Sequence, residues 1–186
     1  MFEYKNPIFF LFLFCILSLP LLSQIITIDS HIDIPFDYME NPEHDPGKIT
    51  DMQVDLYKMK KGGLDSGFFV VYVPQGPLDK SGFKNAQLLA EKKFLAISKM
   101  TKTYSNQIGL ALAPEDIIQL KKNKLLSAAI GIENGYVIGE DLSLLDHYYS
   151  LGARYMTLTH IGHNQIADSS MPSKRLNDEE ELHSGI

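Results

Sequence analysis

The sequence has one cysteine, fewer basic than acidic residues, and no apolar run as long as an ordinary membrane-spanning helix. A single cysteine excludes an intramolecular disulfide framework and a cysteine-based zinc site. Lys and Arg number 17 against 23 Asp and Glu, and the formal net charge of −6 argues against a nucleic-acid partner. With 186 residues, of which 45% are hydrophobic and 22% charged, the chain has the composition of one globular domain.

The apolar run near the N-terminus predicts a signal peptide. It extends from Ile8 to Leu19, follows Lys5 and is succeeded by Ser23. A spanning helix requires about 20 apolar residues, so this shorter run is typical of a secretory signal. We therefore predict that residues 1–23 are a signal peptide and that the protein is exported, whether to the periplasm, the cell surface or the medium. A retained N-terminal anchor is the alternative.

Apolar runs alternate with helical patterns over the rest of the chain. The predicted strands are 24–28, 68–73, 125–132 and 155–159, and the predicted helices are 54–61, 85–104, 114–122 and 141–151. Two of the strands are almost continuously apolar, as expected of strands that are buried on both faces of a parallel sheet. This alternation predicts an α/β fold that is built from βαβ units, with loops at 35–50 and 75–84.

The longest predicted helix, 85–104, has an apolar stripe on one side and lysines on the other. The stripe consists of Ala86, Ala90, Phe94, Ile97, Met100 and Tyr104. The lysines that we expect on the exposed side are Lys92, Lys93, Lys99 and Lys102.

Polar residues of metal-binding type follow three of the predicted strands. Asp29, His31 and Asp33 alternate along the first, so their side chains are expected on one face. Glu133 ends the third strand and His160 follows the fourth. Because His nitrogens and carboxylate oxygens bind zinc well, a metal site at the carboxyl edge of the sheet is one interpretation. A solvated strand end without a ligand is the alternative for each motif taken alone.

These motifs resemble those of the renal (membrane) dipeptidase family, the M19 metallopeptidases. Segment 29–35 matches the family's D-x-H-x-D-x-P, and 131–135 resembles G-[IV]-E-G-G with Asn134 in place of one glycine. Segment 151–160 is close to L-G-x-R-Y-x-x-L-T-H, and 164–169 fits the N-x-x-x-D-S that follows it. The motifs stand in the expected order over most of the chain.

The resemblance implies a (β/α)8 TIM-type barrel of the metal-dependent hydrolase kind, with two zinc ions at the carboxyl mouth of its strands. His31 and Asp33 would bind one zinc, and Glu133 would bridge both. His160 would contact the substrate, a dipeptide, and polarise its carbonyl. The implied reaction is hydrolysis by a hydroxide that bridges the two metals and attacks the peptide bond. Glu133 and His160 are accordingly the predicted catalytic residues.

The length of the chain limits how much of such a barrel it can form. A (β/α)8 barrel requires roughly 250 residues, so we expect residues 24–186 to be its N-terminal half. The resemblance implies that two further zinc-binding histidines lie beyond Ile186. We therefore expect this chain alone to be inactive. The sequence leaves open whether the protein associates with a membrane through an anchor outside this segment, and whether it forms a homodimer.

Two other functions remain open from the sequence. One is a different metal-dependent amidohydrolase on the same barrel, although that group typically shows H-x-H where this chain has His31 and Asp33. The other is an exported α/β binding domain without catalytic activity, whose polar strand ends hold a small solute without metal.

Overall fold

The structure is a computed structural model that describes residues 25–172. The predicted signal peptide 1–23 lies outside the described residues, as does segment 173–186, whereas all predicted site residues lie within them. The strands are β1 (Ile28–Asp33), β2 (Ser66–Tyr72), β3 (Ile108–Leu110), β4 (Leu126–Glu133) and β5 (Ala153–Met156). The α-helices are α1 (Leu56–Gly62), α2 (Lys80–Thr103), α3 (Pro114–Lys122) and α4 (Ser143–Ser150). Two short 3-10 helices span Pro42–His44 and Gly135–Ile138.

All five strands within residues 25–172 belong to one parallel sheet. β1 pairs with β2, and β2 pairs with β4 from Ser66↔Ser127 to Tyr72↔Glu133. The other edge of β4 is shared, because its first residues pair with β3 and its last with β5. The four main strands therefore neighbour one another in the order in which the chain makes them, β1-β2-β4-β5. This succession, with helices between the strands, is that of a (β/α) barrel wall.

The hydrophobic core lies between one face of this sheet and the helices. It includes Phe69 and Val71 of β2, Ile130 and Ile132 of β4, and most of the predicted stripe of α2. Alternate strand residues such as Phe68, Tyr72 and Glu133 point to the opposite face. The helices thus cover one face of the sheet and leave the other to the functional side chains.

The sequence analysis identified four of the five strands but placed several of their ends incorrectly. β1 begins and ends later than the predicted 24–28, so the Asp-His-Asp motif lies within it. β5 ends at Met156 rather than at residue 159, which places His160 in the following loop. β3 was missed because Ile-Gly-Leu is too short to show a periodic pattern.

The helices were predicted at the correct places. α3 has the predicted bounds, and α1 and α4 differ from prediction by one or two residues. α2 begins five residues earlier than predicted because Asp79 caps it, accepting the N–H groups of Ser81 at 2.9 Å and Gly82 at 2.8 Å.

Lys93 was expected on the exposed face of α2, but it is buried, with 3% of its surface exposed. None of the helices within residues 25–172 combines the length and the apolar character that crossing a membrane would require.

Candidate metal centre

The predicted site residues meet at the carboxyl edge of the sheet. His31 and Asp33 end β1, Glu133 ends β4, and His160 lies four residues beyond β5. Parallel strands end on the same edge, so chain segments about 100 residues apart reach one place. The structure thus brings together the four residues that the sequence singled out.

The local shape of β1 determines which of its side chains face the site. Its pairing with β2 shifts register between Asp29 and Ile32, as in a β-bulge. Ile32 and Ile34 are buried in the core, so His31 and Asp33 project from the other face. Asp29 was expected to share that face, but the ligand-type cluster within residues 25–172 does not include it. Its Oδ1 instead accepts the backbone N–H of His31 at 2.9 Å.

Three ligand-type side chains converge closely. One atom from each of His31, Asp33 and Glu133 lies within 4.8 Å of the other two. His31 Nε2 lies 3.3 Å from Glu133 Oε2 and 3.8 Å from Asp33 Oδ1. Two ligands of one zinc ion, each about 2.0–2.2 Å from it, lie up to about 4 Å apart, and both distances from His31 Nε2 fall within this limit. One imidazole and two carboxylates at these distances therefore fit a divalent cation, and zinc is among the ions that accept this donor set.

The Glu133 carboxylate lies between two imidazoles. Its Oε2 faces His31, whereas its Oε1 lies 3.4 Å from His160 Nε2. The side chain is only 16% exposed, in contrast to 73% for Asp33. Each carboxylate oxygen thus faces a different imidazole, so the two oxygens can contact two different groups. The bridging role of Glu133 between two metals stays a prediction.

His160 is held by the loop that carries it. Its ring lies edge-on to the Tyr72 ring, with the centroids 4.9 Å apart. Its backbone carbonyl accepts the hydroxyl of Ser169 at 2.5 Å, and the Ser169 N–H donates to Nδ1 of buried His163 at 2.9 Å. Ser169, which the family-like motif singled out, therefore has a structural role here.

Asn164 attaches the same loop to the turn that follows Glu133. Its side-chain amide donates to Asn134 Oδ1 at 2.9 Å and to the Leu158 carbonyl at 2.7 Å. Asn134 is fully buried and has a φ of 78°, a left-handed conformation that asparagine tolerates better than most residues. The asparagine that replaces a glycine of the family pattern thus fits the backbone and adds a bond to the loop.

Tyr155 crosses the site face of the sheet. Its ring covers Gly131 and lies 5.2 Å from the Phe68 ring, and its hydroxyl donates to the Ser30 carbonyl at 3.1 Å. Burial and the negative charge of Glu133 raise the pKa of the Tyr155 phenol above its usual value, so this group remains a neutral donor. The sequence analysis placed Tyr155 in a strand but assigned it no role in the site.

Lys93 is the charged residue near the site that the sequence analysis missed. Its Nζ donates to the Ile34 carbonyl at 2.6 Å, directly after Asp33. The sequence did indicate that Lys93 is buried, because it stands three residues after Ala90 and four before Ile97, within the apolar stripe of α2.

Comparisons with known proteins identify relatives of this chain. A model of the membrane dipeptidase family (peptidase family M19) matches residues 18–185. Dipeptidase verJ of Clonostachys rogersoniana is 26% identical over 170 residues, which cover 84% of this chain and 43% of that protein. Dipeptidase 3 of Mus musculus is 26% identical over 147 residues, which cover 76% of this chain and 28% of that protein.

Solved structures agree with the barrel fold. The crystal structure of the probable dipeptidase PvdM from Pseudomonas aeruginosa matches with a TM-score of 0.78 and 27% identity, covering 84% of this chain and 40% of that one. The predicted fold class is therefore confirmed for the part of the barrel that this chain forms. The chain spans less than half the length of each of these relatives.

The close approach of Tyr155 to Gly131 predicts that Gly131→Ala destabilises the site face. The added methyl group would lie 2.1 Å from Tyr155 Cζ, so the ring must move and its hydroxyl must leave Ser30. We expect a loss of about 1–3 kcal/mol in the free energy of unfolding, measured by denaturant titration of tyrosine fluorescence. Gly62→Ala is the control, because a methyl group there meets nothing within 4 Å. Equal stability of the two variants would contradict the expectation.

Proposed function

Because the chain belongs to the membrane dipeptidase family, peptidase family M19, we propose that the complete protein hydrolyses the peptide bond of dipeptides with bound metal ions. The observation that carries the proposal is the position of Glu133, with His31 3.3 Å from one carboxylate oxygen and His160 3.4 Å from the other. A metal-ligand cluster thus adjoins an imidazole that is available to a substrate. This combination supports hydrolysis better than passive binding of a solute.

The described residues fit a divalent metal, and zinc is the ion that we propose. His31, Asp33 and Glu133 would hold one ion, since their ligand atoms already converge. The second oxygen of Glu133 would remain for a second ion. When bound, such ions polarise the peptide carbonyl and acidify a water molecule.

The chain's own contribution to the reaction centres on His160. We propose that its Nε2 carries a proton and donates a hydrogen bond to the substrate carbonyl, because the neighbouring Glu133 carboxylate favours that tautomer. The Tyr72 ring and the Ser169 hydroxyl restrict where His160 can move. A donor that is held in position before the substrate arrives needs little reorganisation as charge develops on the carbonyl oxygen.

Removal of a ligand tests the metal site. In the complete protein, His31→Ala should weaken Zn²⁺ binding by more than the roughly 10–100-fold that loss of an outer-shell partner costs, because it removes the nitrogen ligand. Titration of Zn²⁺ against a competing chelator measures this, and dialysis against EDTA should abolish release of amino acids from a dipeptide. His147→Ala, a helix-surface histidine paired with Glu91, is the control. Unchanged affinity in His31→Ala would exclude the assigned site.

His160→Ala should separate catalysis from metal binding. We expect kcat for a dipeptide to fall by about 10²–10³-fold while Zn²⁺ content is retained, because a carbonyl-polarising donor is lost and the cluster of His31, Asp33 and Glu133 remains. Steady-state kinetics with metal analysis measure both. A metal-loaded parent protein that cleaves cyclic amides but no dipeptide would favour another amidohydrolase instead.

We also propose export of the protein through a signal peptide at residues 1–23, on the strength of the apolar run from Ile8 to Leu19. N-terminal sequencing of the protein isolated from its source should then begin close to Gln24. An intact N-terminus at Met1 would contradict cleavage and favour a retained anchor.

A further inference from the structure

Lys93 is a buried cation for which the proposed reaction has no use. It lies on α2 among the apolar residues that pack against the sheet, and only 3% of its surface is exposed. Its Nζ donates to the Ile34 carbonyl, one residue beyond the metal-ligand candidate Asp33. Burial of an ammonium group is costly unless other charges compensate it, so its retention in the core calls for an explanation.

The immediate surroundings of Lys93 are aromatic rather than acidic. Its Nζ lies 4.6 Å from the centroid of the Phe36 ring and 6.0 Å from that of Tyr72. Aromatic faces attract a cation only modestly. Within residues 25–172 the only acceptor that the structure gives its Nζ is the Ile34 carbonyl, and no carboxylate forms an ion pair with it.

The negative charge that acts on Lys93 comes from the metal-ligand cluster. Burial lowers the pKa of the Lys93 ammonium to about 8, and the carboxylates of Asp33 and Glu133 oppose this lowering. Ile34, whose carbonyl binds Nζ, directly follows Asp33, and Tyr72, whose ring lies 6.0 Å from Nζ, is the pairing partner of Glu133 in the sheet. The ammonium thus lies near both carboxylates without touching either. These are two of the three residues that converge as candidate metal ligands.

We infer that Lys93 is a built-in counter-cation of the Asp33–Glu133 carboxylate cluster, which stabilises the metal-free site and lowers its affinity for divalent cations. This inference rests on the proposed function insofar as it concerns metal. Lys93 is a positioning and tuning residue, since it reaches the cluster through the Ile34 carbonyl and through its charge rather than through the substrate.

The physical reason is competition between like charges. A divalent ion at the cluster neutralises the carboxylates that stabilise the ammonium and repels it as well. Charges near a protein interior interact several-fold more strongly than they do in water, so the two cations oppose each other even without contact. Removal of the Lys93 charge should therefore leave the carboxylates more available to a metal.

The first test measures the affinity of the complete protein for Zn²⁺, titrated against a competing chelator. Lys93→Gln removes the charge and keeps a polar amide, whereas Lys93→Met removes both the charge and the polar group. We expect both variants to bind Zn²⁺ about tenfold more tightly than the parent. Lys92→Gln is the matched control, because it makes the same change of charge at an exposed position on the same helix. Unchanged or weaker binding in both Lys93 variants would overturn the inference.

The second test requires no metal. In the presence of EDTA, thermal unfolding of the parent, Lys93→Gln, Asp33→Asn and the double variant forms a double-mutant cycle. We expect the loss of the Asp33 charge to lower the midpoint more when Lys93 is present than when it is Gln, because only then does it remove a compensating charge. Additive midpoint shifts would overturn the inference. A parent protein that binds no Zn²⁺ would refute the proposed function, whereas the cycle would still decide the role of Lys93.

Discussion

The register of the parallel strands at the carboxyl edge of the sheet determines how His31, Asp33 and Glu133 meet in the metal centre. Asp33 of β1 lies opposite Val70 of β2, which lies opposite Gly131 of β4. Glu133 is therefore two residues beyond the row that contains Asp33, on the same face. A shift of one residue in either pairing would turn these side chains toward the core. The loop after β5 then adds His160 to the geometry that the strand pairing defines.

The sequence predicted which residues lie at this edge of the sheet better than it predicted where the strands end. The alternation of apolar and polar residues was sufficient to place His31 and Asp33 on one face, and the long apolar run of β4 was sufficient to place Glu133 at its end. The end of β5 could not be found in this way, because Tyr-Met-Thr-Leu-Thr continues to suit a strand beyond Met156. The strand ends because of hydrogen bonds to another part of the chain: the Thr157 and Leu158 carbonyls accept the N–H of Gly135 in the neighbouring turn.

The surroundings of Lys93 and Gly131 could not be predicted from the sequence. The position of Lys93 within the apolar stripe of α2 indicated that its side chain is buried, whereas its charge indicated that it is exposed. The fold shows that it is buried and that the carboxylates of Asp33 and Glu133 lie close enough to act on its charge. Gly131 resembles an ordinary motif glycine until the Tyr155 ring is seen to cover it. In both cases the deciding partner belongs to a distant part of the chain, which no local pattern can identify.

The attachment of the His160 loop to the turn after Glu133 has a mechanical consequence. Asn164 binds Asn134 directly, and the Gly135 N–H binds the chain just before His160. The two side chains are thus mounted on one hydrogen-bonded body, whereas His31 and Asp33 are mounted on β1, with β2 in between. The spacing of Glu133 and His160 thus depends on direct hydrogen bonds between the segments that carry them, whereas the gap toward β1 depends on the pairings of β2 with its two neighbours. A ligand that binds His31, Asp33 and Glu133 together would join β1 to β4 directly across this gap.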